Sequence, residues 1–196
     1  MKLLPSGPRA VLAEFDSLAD VMAASAAWRD TPPAGVVDIV PAARTVLVVH
    51  DGSLDPAALT FAPDDHRAVH ARSVLLDVTY DGPDLHDVAA RCGLDVDEVV
   101  RIHEAAEYTV AFCGFMPGFG YLVGLPPQLH LPRRATPRTR VRAGSVAIAG
   151  EFAAVYPRDS PGGWHLLGHT EVALWDDAAE PPALLQPGTT VRFTPR

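Results

Sequence analysis

The chain has 196 residues, 48% of them apolar and 20% charged, which suits a packed core and excludes a disordered or collagen-like polymer. Its net charge of −8 disfavours nucleic acid and anionic membrane surfaces as partners. A single lysine, Lys2, stands beside 15 arginines, which excludes the lysine of a P-loop, of a biotin or Schiff-base site, and of a Ser-Ser-Lys amidase.

The opening stretch, residues 1–7, breaks after two leucines and has no apolar signal-peptide core. No stretch reaches the roughly 20 apolar residues that span a bilayer. A cytoplasmic address with no membrane partner is the expectation. Residues 10–15 predict a short strand. From Ser17 to Trp28, the residues Leu18, Val21, Met22, Ser25 and Trp28 recur near helical spacing. Ser17 and Asp20 form a weak capping pair, and Thr31-Pro32-Pro33 stops the helix. Val36–Val40 and Thr45–Val49 are β-branched runs and predict strands. A helix can start at Pro56, with Pro63 interrupting it. Val74–Tyr80 predicts another strand, ended by Asp81-Gly82-Pro83. The order β-α-β-β-(α)-β makes residues 1–82 a small split-βαβ domain.

Residues 83–196 predict a second domain. It opens on two short helices between 84 and 107. Leu85, Val88, Ala89 and Cys92 line the first, with Gly93 placed to end it. The second starts at Asp95, with Glu98 three residues on, and carries Val96, Val99, Val100 and His103 on one face. The pair has the spacing of a helix-turn-helix. Its seven acids against two arginines would repel phosphates, so a helical hairpin packed on the rest of the domain is the reading. Beyond Tyr108 the helical period disappears. Short apolar runs separated by Gly/Pro turns predict a sandwich or barrel. The two cysteines, Cys92 and Cys113, lie in no metal or disulfide pattern, and no metal site is predicted.

Charge divides unevenly: residues 1–112 carry a net −10 and residues 113–196 a net +2, so an anion site belongs in the second part. Three segments there stand out. Phe112–Leu122 crowds Phe115, Phe119, Tyr121 and Met116 around Gly114, Pro117, Gly118 and Gly120. It reads as a corner of the barrel, or as a loop whose bare backbone meets a ligand or partner chain between aromatic walls. Leu131–Arg142 holds five arginines, and Pro132 and Pro137 restrain the backbone before Arg133 and Arg138. Those two guanidinium forks are the candidate clamps for a carboxylate or phosphate. Ser160-Pro161-Gly162-Gly163-Trp164 reads as a hairpin turn or as a small nest of backbone N–H donors. His165 and His169 would lie about 13 Å apart on a strand and do not form a metal pair.

Taken in order, Gly114–Phe119, Pro132–Arg138, Ala143–Val146, Ile148–Gly150, Tyr156-Pro157, Ser160–Trp164 and Gly168 resemble the KipI family, also called allophanate hydrolase subunit 1 and the 5-oxoprolinase B subunit. The resemblance covers about residues 70–196. It implies an α+β chain, in which the small split-βαβ N-terminal domain is followed by a cyclophilin-like β-barrel. It also implies a component of an ATP-dependent 5-oxoprolinase that opens 5-oxo-L-proline to L-glutamate. The implied partner is an adjacent protein of the 5-oxoprolinase C-subunit or allophanate hydrolase subunit 2-like kind. ATP and Mg²⁺ would act at the level of the complex, since this chain has no nucleotide motif. Substrate contact then falls to Phe115, Pro117, Gly118, Phe119, Tyr121, Arg133, Arg138, Ser160, Gly162, Gly163 and Trp164, with no catalytic residue assigned. Kinship to a KipI-type inhibitor of a histidine kinase, or to a urea-amidolyase-related complex, is the alternative. The chain departs from the family pattern at Gly120, Arg142, Phe152–Ala154 and His169.

Overall fold

The computed structural model describes residues 1–61 and 72–196. The chain divides into two compact units, residues 1–69 and 70–196.

In the first unit, strand β1 (Lys2–Pro5) pairs antiparallel with β2 (Ala10–Glu14). Helix α1 (Leu18–Asp30) follows, then β3 (Val36–Pro41) and β4 (Thr45–His50). The sheet order is β1-β2-β4-β3. Both β2 and β3 run antiparallel to β4, so they are parallel to each other with β4 inserted between them. Joined through α1, they form the predicted split βαβ. Ser17 caps α1 by accepting the Asp20 backbone N–H at 3.1 Å. Alternate strand residues Val11, Ala13, Val46, Val48 and Ile39 face Val21, Ala24 and Trp28 of the helix. Strand β1 lies outside the predicted elements, because four residues that end at a proline give no periodic signal. As an edge strand it tolerates that proline. From Pro56 the structure shows only a 3₁₀ turn, Pro56–Ala58; residues 59–61 are not helical, and the remainder of the predicted helix lies outside the described residues.

The second unit begins with β5 (Ser73–Val78), helices α2 (Leu85–Cys92) and α3 (Val96–Ala105), and strands β6 (Tyr108–Cys113) and β7 (Gly120–Val123). It continues with β8 (Arg138–Val141), β9 (Ser145–Ala149), β10 (Phe152–Val155), β11 (Ser160–Gly162), β12 (His165–His169) and β13 (Thr190–Pro195). Seven strands form one sheet in the order β12-β9-β10-β7-β6-β13-β5. Strand β5 pairs in parallel with β13, the last strand. This corrects the expected division at residue 82. The strand at 74–80 belongs to the second unit, because its partner along the ladder is the C-terminal strand rather than a neighbour in sequence.

A single antiparallel bridge between Thr79 and His169 joins the two outer strands and nearly closes the barrel. Past it, the Gly82 N–H donates to the Leu167 carbonyl at 3.0 Å. One face of the seven strands carries Leu76, Tyr108, Val110, Leu122, Val155, Ile148, Leu167 and Phe193, all buried in one core. Leu85, Val88 and Ala89 of α2 and Val99 of α3 pack into the same core. The helix pair is therefore the packed hairpin that its charge predicts. Gly93 ends α2 in the left-handed conformation, and Asp95 caps α3 by accepting the Glu98 N–H at 2.7 Å. Cys92 and Cys113 are half-buried thiols.

Candidate functional site

The opposite face of β7, β9 and β10 holds a second apolar cluster. Its floor is small, made of Ala147, Ala149 and Ala154, and its body is Phe119, Tyr156 and Trp164, flanked by Tyr121 and Phe152. Strands β8 and β11 form a separate two-stranded ribbon that contributes Val141 to this cluster. The floor residues are alanine because the large rings need the space between sheet and ribbon.

The Gly-rich aromatic segment is a tight bend, with the Gly114 N–H donating to the Phe119 carbonyl at 3.2 Å and the Phe119 N–H to the Met116 carbonyl at 3.1 Å. It drives Phe119 into the cluster, where its ring centroid lies 5.1 Å from Tyr121, 5.4 Å from Tyr156 and 5.7 Å from Trp164. These are edge-on contacts, the favoured aromatic geometry. Phe115 lies on top of them, 5.3 Å from Phe119 and 6.3 Å from Tyr156, and is 59% exposed. Its φ is +67°, the one positive value at a non-glycine among the described residues. An exposed aromatic held in the left-handed region costs free energy that packing does not return. Phe115→Gly is therefore expected to leave stability unchanged or to raise it by about 1 kcal/mol, read from urea unfolding. A clear loss would mean that Phe115 serves the fold. Pro117 is exposed at the turn, and a Cβ at Gly118 would lie 3.1 Å from the Trp175 Cβ.

The five arginines separate into three kinds. Arg140 pairs with Asp159 at 2.6 Å at the surface. Arg133 and Arg142 are exposed and make no ion pair among the described residues. Arg134 and Arg138 converge on one carboxylate: Nη1 of Arg134 and Nη2 of Arg138 donate to Oδ1 of Asp84 at 2.6 and 2.7 Å. The other oxygen, Oδ2, accepts the Leu166 N–H at 2.8 Å. Asp84 is buried, and burial raises its pKa. The Arg138 hydrogen bond, the Leu166 N–H and the two guanidinium charges outweigh that and hold it below the ordinary 3.8.

Within the segment read as a hairpin turn or an N–H nest, Ser160–Gly162 is strand β11, with Gly162 opposite Arg138 and Ser160 opposite Val141. A Cβ at Gly162 would overlap the Tyr156 hydroxyl, so glycine lets that ring come under the ribbon. Gly163 accepts the Arg134 backbone N–H at 2.8 Å. Burial pushes the Tyr156 pKa up, against the Trp164 N–H hydrogen bond and the charges of Arg133 and Arg138. Tyr156 thus links the two predicted segments. Phe115 and Phe119 pack against its ring, and the Trp164 backbone N–H, Arg133, Arg138 and Gly162 lie near its hydroxyl.

Asp84, Arg134 and Tyr156 were absent from the sequence-based site. Asp84 stands at the N-cap position of α2, yet its side chain makes no capping bond. The side chain is turned instead toward Arg134, Arg138 and the Leu166 N–H, partners distant in sequence.

The family model of the carboxyltransferase domain, subdomain C and D, matches residues 1–185. The chain is 56% identical over 115 residues to the 5-oxoprolinase B subunit of Escherichia coli O157:H7, covering 59% of this chain and 53% of that one. It is 36% identical over 195 residues to the 5-oxoprolinase B subunit of Bacillus subtilis (strain 168), covering 88% of this chain and 81% of that one. The match to the first of these spans about half of that relative's length. Among solved structures, TTHA0988 superposes with a TM-score of 0.80 at 38% identity, over 96% of this chain and 40% of that one.

Proposed function

The chain belongs to the family of the carboxyltransferase domain, subdomain C and D, and from that we propose that it is one component of an ATP-dependent amide hydrolase that opens 5-oxo-L-proline to L-glutamate. The observation that carries this reading is the open aromatic platform. Phe115 projects from a buried aromatic cluster beside the arginines, on the outer face of a nearly closed barrel. Likeness to two chains named as B subunits of 5-oxoprolinase supports it.

The chemistry suits such a surface. A lactam carbonyl is a poor electrophile, and transfer of the ATP γ-phosphoryl group to its oxygen makes it a better one. Cationic and N–H donors stabilise the negative charge that gathers on that oxygen. Aromatic walls exclude water and orient the flat ring. This chain brings walls and cations. A partner protein, of the 5-oxoprolinase C-subunit kind, covers Phe115 and completes the cleft, and the chain alone is inactive. Among the described residues no three His, Cys, Asp or Glu side chains are grouped to hold a metal ion. In this reading ATP and its Mg²⁺ act at the level of the assembled complex. No helix among the described residues is long and apolar enough to cross a membrane.

The test mixes the purified chain with the products of its neighbouring reading frames and follows ADP release. Release that depends on 5-oxo-L-proline and on the presence of this chain is the expected result. If ADP release ignores either one, the proposal is wrong.

A further inference from the structure

The ion cluster behind the ribbon holds a charge that the fold does not consume. One carboxylate, Asp84, faces two guanidinium groups, Arg134 at 2.6 Å and Arg138 at 2.7 Å, so the cluster keeps one net positive charge. Around it, Nη1 of Arg138, Nε of Arg134 and Oγ of Ser160 are closed off from solvent without a hydrogen-bond partner. Buried polar atoms in that state are uncommon, and a bound polar group is one explanation. Three at one place favour it.

The ladder brings them together. Directly opposed residues of an antiparallel pair share a face, as do residues two apart on one strand. Ser160 opposes Val141 and Gly162 opposes Arg138, so Ser160 and Arg138 leave the ribbon on the same side. That side faces Tyr156, because the Tyr156 hydroxyl fills the space of a Gly162 Cβ.

We propose that the Tyr156-facing side of the ribbon receives the carboxylate of a small molecule, with Arg138 Nη1 and Ser160 Oγ as donors and Asp84 as the residue that positions the guanidinium. A planar monoanion matches both the guanidinium edge and the single residual charge. A phosphate dianion would need a second cation and more donors. Which molecule carries the carboxylate rests on the function proposed above, whereas the donor set does not.

The experiment is an NMR titration of the purified chain, following the Arg134 and Arg138 side-chain N–H signals. The probes are 5-oxo-L-proline, its neutral carboxamide and inorganic phosphate. Saturable shifts with the carboxylate, and none with the carboxamide, are expected. Ser160→Ala should weaken binding by about tenfold. The same variant should keep or raise the thermal midpoint, because it removes a buried hydroxyl that has no partner. Arg138→Gln should abolish the shifts at Arg134. Equal response to the carboxamide, equal or tighter response to phosphate, or unchanged affinity in Ser160→Ala would each overturn the site. Carboxylate binding without 5-oxo-L-proline-dependent ATP turnover in the complex would keep the site and remove the reaction. Turnover with a failed titration would do the reverse.

Discussion

Gly168→Ala is expected to cost the second unit about 3 kcal/mol or more, because its methyl group would have no room at the barrel seam. Thr79 and His169 exchange two backbone hydrogen bonds there, each 2.9 Å long. A Cβ at Gly168 would overlap the Thr79 carbonyl oxygen and lie 2.9 Å from the Tyr80 Cα. Both obstacles are backbone, so no rotamer change relieves them. Gly82 occupies the mirror position, where a Cβ would overlap the Leu166 carbonyl oxygen and lie 2.6 Å from the Gly168 nitrogen. Gly82→Ala should therefore match Gly168→Ala, and the double variant should cost less than the sum, since either one already opens the seam. Urea unfolding followed by far-ultraviolet circular dichroism reads the effect. Gly114→Ala is the control. Its Cβ meets only the Tyr121 Cε2 at 3.8 Å, and a loss below about 1 kcal/mol is expected. Equal losses in control and seam variants would show that the seam is not tight.

Asp84→Asn is expected to cost about 2–3 kcal/mol, by removing the one carboxylate that compensates two guanidinium groups. The figure lies below that for a fully buried broken pair, since the Arg134 and Arg138 side chains are 31% and 25% exposed and water shares their charge. The pH dependence has a definite sign. The folded pKa of Asp84 lies below its ordinary 3.8, so the unfolded chain binds the proton more readily. The stabilisation is complete above that ordinary value and disappears as pH falls through the lower, folded one. The stability difference between parent and Asp84→Asn should be constant above about pH 5 and shrink below that, as the parent carboxylate takes up its proton. A difference that stays constant to acid pH would show that the carboxylate charge contributes nothing. Asp84 also accepts the Leu166 N–H at 2.8 Å, and the single acceptor oxygen of asparagine can serve that N–H or the guanidinium groups but not both sides.

Much of the local structure was legible in the chain. Ser17 capping α1, Gly93 ending α2 and Asp95 starting α3 all act within three or four residues, where short-range sterics and hydrogen bonds decide. The β-branched runs at 36–40 and 45–49 became adjacent strands for the same local reason. The packed helix pair at 84–107 was legible as well, since Leu85, Val88, Ala89 and Val99 recur at helical spacing and all enter one core. The aromatic bend was visible because so many glycines do not belong in a strand interior. The arginine run was visible too, but its use was not: Arg134, rather than Arg133, joined Arg138, and both are held on Asp84.

What the sequence by itself determined was the set of parts: a split βαβ unit, a helix pair, a barrel with one aromatic bend and one cationic loop, and the family they resemble. What only the tertiary structure decided was the pairing of those parts. Strand 73–78 joined the barrel because its ladder partner is the last strand, 117 residues away at Asp77–Thr194. Asp84 became the anchor of Arg138 because the closed barrel brings groups 54 residues apart to 2.7 Å. Local patterns follow from interactions between near neighbours. The buried charge cluster and the seam follow from loop closures that no short window of sequence contains.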